Sequence, residues 1–265
     1  MKSMRKCLQI LVVLFLWAVF AEHLFANEFV PVPGGEFRSV IPEGVGDNNI
    51  AVDDFLIQET PVTNAEFLRF VLHHPEWQRG TAVSLFVDDQ YLSTWAGPIS
   101  LGPEARLQQP VTQVSWFAAN AYCEWQNARL PSWYEWEYVA AASDSLADAR
   151  ALPEWRQKIL SWYSKAGGKQ NVDVRSGHEN YYNVFDTHGL VWEWVDDFNG
   201  FLVSGDNREQ GGADQLQFCG AGAITMEEKD NYAVLMRVAM LSALEARYTT
   251  RNLGFRCARM VESSQ

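Results

Sequence analysis

Apolar positions in this chain follow two rhythms, short clusters set beside Gly and Pro and longer stripes opened by capping residues. Phe29-Val30-Pro31-Val32-Pro33-Gly34-Gly35-Glu36-Phe37 reads as a short strand, a turn and a second strand. Thr63-Asn64-Ala65-Glu66 is a capping box, so a helix is expected to follow with Phe67, Phe70 and Val71 on one face and to end at Pro75. Residues 76–110 scatter Gly, Pro and aromatics and are expected to form a long surface excursion. Ser115 is placed to N-cap a second helix whose Trp116, Ala119, Ala121, Cys123 and Trp125 are available to the core. After the Leu130-Pro131 break, the capping box Ser132-Trp133-Tyr134-Glu135 opens a helix to about Ala142. Two helices joined by so tight a turn are expected to pack at an angle with their aromatics between them. Near the C-terminus, Tyr232, Leu235, Met236, Ala239, Met240 and Ala243 keep helical spacing. The Met pair at that spacing suits a core better than a copper site.

The first residues follow a different pattern. Lys2, Arg5 and Lys6 precede an apolar run from Leu8 to Phe20, with small residues at Ala21 and Ala26. This is the pattern of a secretory signal peptide, with cleavage expected after Ala26 and export to the periplasm or beyond. The run is shorter than the roughly 20 residues a spanning helix needs. Removing residues 1–26 takes three basic residues and Glu22, leaves 239 residues and moves the formal charge from −12 to −14. That length suits one domain, residues 27–265, and no repeat or Pro/Ser-rich linker divides it. So acidic a surface excludes a nucleic acid or an anionic membrane as the expected partner. The 11 Trp and the frequent turns suggest an irregular fold held by aromatic packing.

Residues 27–265 retain Cys123, Cys219 and Cys257, which in an oxidising compartment suggests one disulfide and one remaining thiol, with the pairing left open. Cys123, mid-helix beside Tyr122, reads as a buried thiol or a disulfide half. No Cys/His zinc spacing occurs, and His73, His74, His178 and His188 offer no pair spaced for a two-His-one-carboxylate iron site.

Several blocks, in order, resemble the formylglycine-generating enzyme, or sulfatase-modifying factor, family. They are Val32-Pro33-Gly34-Gly35-Glu36-Phe37, Pro61-Val62-Thr63-Asn64-Ala65-Glu66-Phe67 and Val111 to Trp116 leading into Ala121-Tyr122-Cys123-Glu124-Trp125. Arg129-Leu130-Pro131-Ser132, Glu135-Trp136-Glu137-Tyr138, Gly189-Leu190-Val191-Trp192-Glu193-Trp194 and Asn252-Leu253-Gly254-Phe255-Arg256-Cys257 continue the series. The resemblance implies a compact single-domain α+β fold, C-type-lectin-like and poor in regular secondary structure, with a shallow substrate cleft. Trp192, Trp194 and Arg237 are the residues expected at that cleft, and Asn252 and Arg256 either help to shape it or serve structure.

The same resemblance implies structural calcium, held by the side chains of Asp186 and Glu193 and the main-chain carbonyls of Gly189 and Val191. Two carboxylates seven residues apart around a Gly turn can curl about one hard cation; a carboxylate satisfied by backbone amides is the alternative. Leu190 stands where the family commonly has Asn, and the family's other calcium site falls where this chain is shortened, around residues 162–180.

In the family, a pair of cysteines holds copper and activates oxygen. Here Cys219-Gly220-Ala221-Gly222-Ala223 stands at the turn leading to that pair, and no further cysteine occurs before Cys257. Copper(I) needs soft thiolate ligands, which Glu227, Glu228 and Asp230 cannot replace. Cys219 is therefore the lone candidate ligand or nucleophile, or else a disulfide half with Cys257 or Cys123. The leading expectation is an exported maturation or accessory factor for a periplasmic partner. The combination of Leu190, Asp196-Asp197-Phe198-Asn199 and Phe218 to Gly222 resembles members associated with copper nitrite reductases and copper-delivery proteins. The alternatives are a periplasmic oxidase with another cofactor, of the siderophore-chromophore type, formylglycine generation on sulfatases through Cys219, and a binding module without chemistry.

Overall fold

The computed structural model describes residues 27–41, 49–164, 172–198 and 232–261; the expected signal peptide and Cys219 lie outside them. β1 (Phe29–Val32) pairs antiparallel with β4 (Phe55–Gln58), which pairs antiparallel with β7 (Ala258–Met260). Sheet order β1-β4-β7 thus joins the first and last strands through one central strand. That strand carries the buried Phe55 and Ile57, whereas Pro31, which has no N–H to give a ladder, sits on the edge strand β1. β2 (Gly35–Arg38) and β3 (Asn49–Val52) form a second antiparallel ribbon. Gly34 is required at the turn before it, since a Cβ there would stand 2.2 Å from the Val52 carbonyl oxygen.

Helix α1 (Asn64–His73) starts at its capping box: the Glu66 carboxylate accepts from the Thr63 N–H at 2.7 Å, and Thr63 Oγ1 accepts from the Glu66 N–H. Phe67, Phe70 and Val71 are buried, as their spacing predicts. Pro75 ends α1 but also opens a single 3-10 turn, Pro75–Trp77. The stretch that follows corrects the expectation of a surface excursion. Val87, Tyr91, Leu92 and Trp95 are buried, and the Trp95 indole donates to Asn64 Oδ1 at 2.9 Å. Irregular backbone here still supplies core side chains, because turns and side-chain bonds satisfy its polar groups.

Helix α2 (Trp116–Trp125) is capped by Ser115, whose Oγ accepts from the Ala118 N–H at 3.1 Å. Helix α3 (Trp133–Ala140) opens at the Ser132–Glu135 box, and Arg129 grips Glu135 through two 2.6 Å bonds. The aromatics of the two helices do not fill one shared layer. Tyr122 packs on Phe67, Phe70 and Phe255 at centroid distances of 5.9, 5.6 and 5.3 Å. Trp133 and Trp136 instead pair with each other at 6.1 Å and face the segment 188–193. Cys123 is a disulfide half, bonded to Cys257.

Helix α4 (Pro153–Ser164) was not expected, although Pro at its first position and Trp155, Ile159 and Trp162 at helical spacing signal it. Helix α5 (Tyr232–Ser242) forms where the spacing predicts it but buries a different face. Arg237, which turns inward to the Glu193 carbonyl, Val238 and Leu241 are buried and Met240 half-buried, whereas Met236, Ala239 and Ala243 of the expected stripe are exposed. The short parallel pair β5 (Trp192–Glu193) and β6 (Leu253–Gly254) brings two of the family-like blocks side by side.

Candidate functional site

The segment Asn180–Phe198 is shaped by local chemistry before it meets any partner. Asn183, Asp186 and Gly189 take positive φ of 60°, 59° and 87°, and Asn180 Oδ1 accepts from the Tyr182 and Val184 amides at 3.0 Å each. Asn and Asp tolerate this left-handed backbone better than other side-chain-bearing residues. At Gly189 contact adds to the demand of the positive φ, since a Cβ would meet the Trp162 ring at 3.0 Å. The chain then straightens into β5. Beyond it, the Trp194 indole donates to the Val114 carbonyl at 3.0 Å, and the Trp116 indole donates to that of Val195 at 3.0 Å.

Glu193 is the electrostatic centre of this region. It is fully buried, as is Arg256, and the two form a fork: Nε to Oε2 at 2.9 Å and Nη2 to Oε1 at 2.8 Å. The other Arg256 donors reach the carbonyls of Gln58, Glu59 and Phe185 at 3.1, 3.2 and 2.9 Å. All five guanidinium N–H groups thus have acceptors. The Trp136 indole adds a third donor to the Glu193 carboxylate at 2.9 Å. Arg237 lies flat over Trp136, 3.5 Å from the ring centroid, and donates to the Glu193 carbonyl. His188, also buried, contacts Trp136 edge-on and bonds the Ala140 carbonyl through Nε2 at 2.8 Å. Burial, reinforced by the nearby Arg237 and Arg256 cations, pulls its pKa down to about 4, so the ring is neutral at pH 7.

This geometry corrects part of the expected site. Trp194 and Arg237 are buried, so they do not line an open cleft; only Trp192 is partly accessible. Arg256 is the buried ion-pair partner of Glu193, and Asn252 serves the β5–β6 pair, its carbonyl accepting the Trp192 N–H at 2.7 Å. The expected calcium ligands do not form a fitting cage. Asp186 takes the alternative, its oxygens accepting from the Gly177 and Arg175 amides at 2.7 and 2.5 Å, and burial raises its pKa. Glu193 is already neutralised by Arg256. With Gly189 and Val191 offering only carbonyls, the donor set has no free charge pair for a dication. Among the described residues, no group of three or more His, Cys, Asp or Glu side chains converges. Cys219 lies outside the described residues, and its two candidate partners are bonded to each other.

Glu137 has a comparable position that carried no sequence signal of its own. It lies buried, accepting from Ser39 Oγ at 2.5 Å, the Val40 amide at 2.9 Å and the Trp133 indole at 2.9 Å, with Arg150 at 3.2 Å. Burial nevertheless raises its pKa.

Three relatives show how far the similarity extends. Over 280 residues the chain is 29% identical to a formylglycine-generating enzyme of Streptomyces coelicolor, covering 86% of this chain and 88% of that one. It is 26% identical over 294 residues to the inactive C-alpha-formylglycine-generating enzyme 2 of Mus musculus, covering 93% and 92%. It is 28% identical over 180 residues to the serine/threonine-protein kinase pkn1 of Chlamydia pneumoniae, of which it spans only 28%. Residues 19–261 match the sulfatase-modifying factor enzyme 1-like domain, so the chain belongs to the formylglycine-generating enzyme family.

Proposed function

We propose that this family member is an exported maturation or accessory factor for a periplasmic partner, such as a copper redox enzyme of the nitrite reductase kind, and not a copper-dithiolate cysteine oxidase. One count carries this reading. Of the four cysteines, Cys7 precedes the apolar run of the expected signal peptide, and Cys123 and Cys257 are bonded to each other. Cys219 alone remains, and a two-thiolate copper(I) site needs a second free thiolate, which residues 27–265 do not supply. Similarity to a protein named as an inactive member, over 93% of this chain, supports a family fold used without that reaction. A buried disulfide suits an oxidising compartment and so supports export, as does the basic and then apolar start of the chain.

The oxidase half is tested by loading purified residues 27–265 with copper(I) and adding a sulfatase-type cysteine peptide in air. No oxygen uptake above the peptide-free control and no aldehyde-bearing peptide is expected; aldehyde formation would overturn it. The maturation half is tested by deleting the gene and measuring the activity and metal content of periplasmic copper enzymes. A loss restored by the intact gene supports the reading, and an unchanged set of enzymes refutes it.

A further inference from the structure

Helix α4 carries a group of side chains that the Glu193 network does not use. Trp155, Lys158 and Trp162 recur at three- and four-residue spacing and so share one helix face. Lys158 Nζ stands 5.5 Å from the ring centroid of each indole. The indoles meet at 84° with centroids 6.2 Å apart, which makes a corner of two π faces. His188 backs the corner, stacked on Trp162 at 6.1 Å and edge-on to Trp155 at 6.2 Å. The cavity at this corner is also lined by the acidic residues Asp144, Glu179 and Asp186, and the space left open beside Lys158 is small, about 20 Å³. The ion pairs of the described residues do not include Lys158, so the rings hold its ammonium without a salt bridge.

We propose that this corner binds alkylated ammonium groups, quaternary ammonium above all, and that Lys158 is a plug that fills it in the free protein. The argument is one of hydration. A primary ammonium is a compact, strongly hydrated charge that gives up water to sit against indole faces. A quaternary ammonium holds water weakly and spreads its charge over methyl groups, so the same two faces suit it better. Lys158 is long, unbranched and only partly buried, so it can swing to solvent and release the room a trimethylammonium group needs. Asp144 and Glu179 in the cavity lining add negative charge, which favours an incoming cation over an anion.

Choline is the probe, and 3,3-dimethylbutan-1-ol, of the same shape without the charge, is the control. Both are titrated into residues 27–265 with saturation-transfer NMR and tryptophan fluorescence as readouts. Choline binding is expected with the neutral analogue silent, and Lys158→Ala, which empties the corner and removes a like charge, tightens choline about tenfold. Adding Trp155→Leu to Lys158→Ala should abolish that gain, with folding checked by the melting temperature; Trp162 is left intact because it covers Gly189. Equal binding of the two probes, no choline binding to Lys158→Ala, or equal choline affinity of the wild type and Lys158→Ala would overturn the proposal. If the double variant fails to fold, the Lys158→Ala comparison alone decides.

Discussion

Around Phe67, rings meet rings: Phe70, Trp95, Tyr122 and Phe255 all lie within 6.2 Å of it, centroid to centroid, and the Cys123–Cys257 disulfide joins α2, which carries Tyr122, to the residues just after Phe255. Around Trp136, rings meet charges: Arg237 lies on its face, Glu193 accepts from its indole, and Arg256 forks onto Glu193 from the other side. Both clusters are buried and both are rich in Trp, Tyr or Phe, yet they should fail differently. The first loses stability in proportion to the area and cross-linking removed. The second is all or nothing, because removing one charge strands its partner in a dry interior.

The sharpest way to separate them is Glu193→Gln. Arg256 would keep its carbonyl acceptors but lose its counter-charge, and a loss of about 3–5 kcal/mol in urea unfolding is expected. A loss below about 1 kcal/mol, typical of an exposed pair, would mean that water reaches the network and the contrast is false. Next is the double variant Cys123→Ala/Cys257→Ala, which opens a link between residues 134 apart. Its expected cost is about 2–5 kcal/mol, and it should leave the environment of Trp136 unchanged by near-ultraviolet circular dichroism.

The third test uses pH. The folded protein holds His188 near pKa 4, below its ordinary 6.5, so the unfolded chain binds the proton first. The stability contributed is fully present above about pH 6.5 and is lost as pH falls towards 4, by about 3 kcal/mol if no other group moves. His188→Phe should flatten that part of the unfolding profile; an unchanged slope would assign it to the carboxylates. The smallest effect is expected from calcium removal. Because Arg256 already neutralises Glu193, excess chelator should leave the melting temperature within error, and a fall of several degrees would restore calcium to the Asp186–Glu193 loop.

The helical part of the ring-only cluster was legible in the sequence, its Trp95 was not, and the charged cluster was not legible at all. Phe67, Phe70 and Val71 declare themselves by spacing, and the Thr63 and Ser132 boxes by chemistry, because helix starts are decided within four residues. The partnership of Glu193 with Arg256 spans 63 residues and that of Glu137 with Ser39 spans 98. No local pattern encodes such pairs, and a buried Arg in sequence looks like a surface one. Arg237 was accordingly expected at a cleft and is found beneath Trp136. The excursion 76–110 shows the same limit from the apolar side, since Leu92 and Trp95 reach the core without any period to announce them.

The disulfide also fixes what happens when the backbone is cut. Its two cysteines enclose α3, α4, the 180–198 segment, α5 and β6 in one covalent ring. A protease that nicks the chain anywhere inside this ring produces two fragments that stay tied until a reductant arrives. As long as the disulfide is oxidised, the molecule can therefore be clipped without being dismantled, and its nicked form should run as one band on a non-reducing gel and as two on a reducing one.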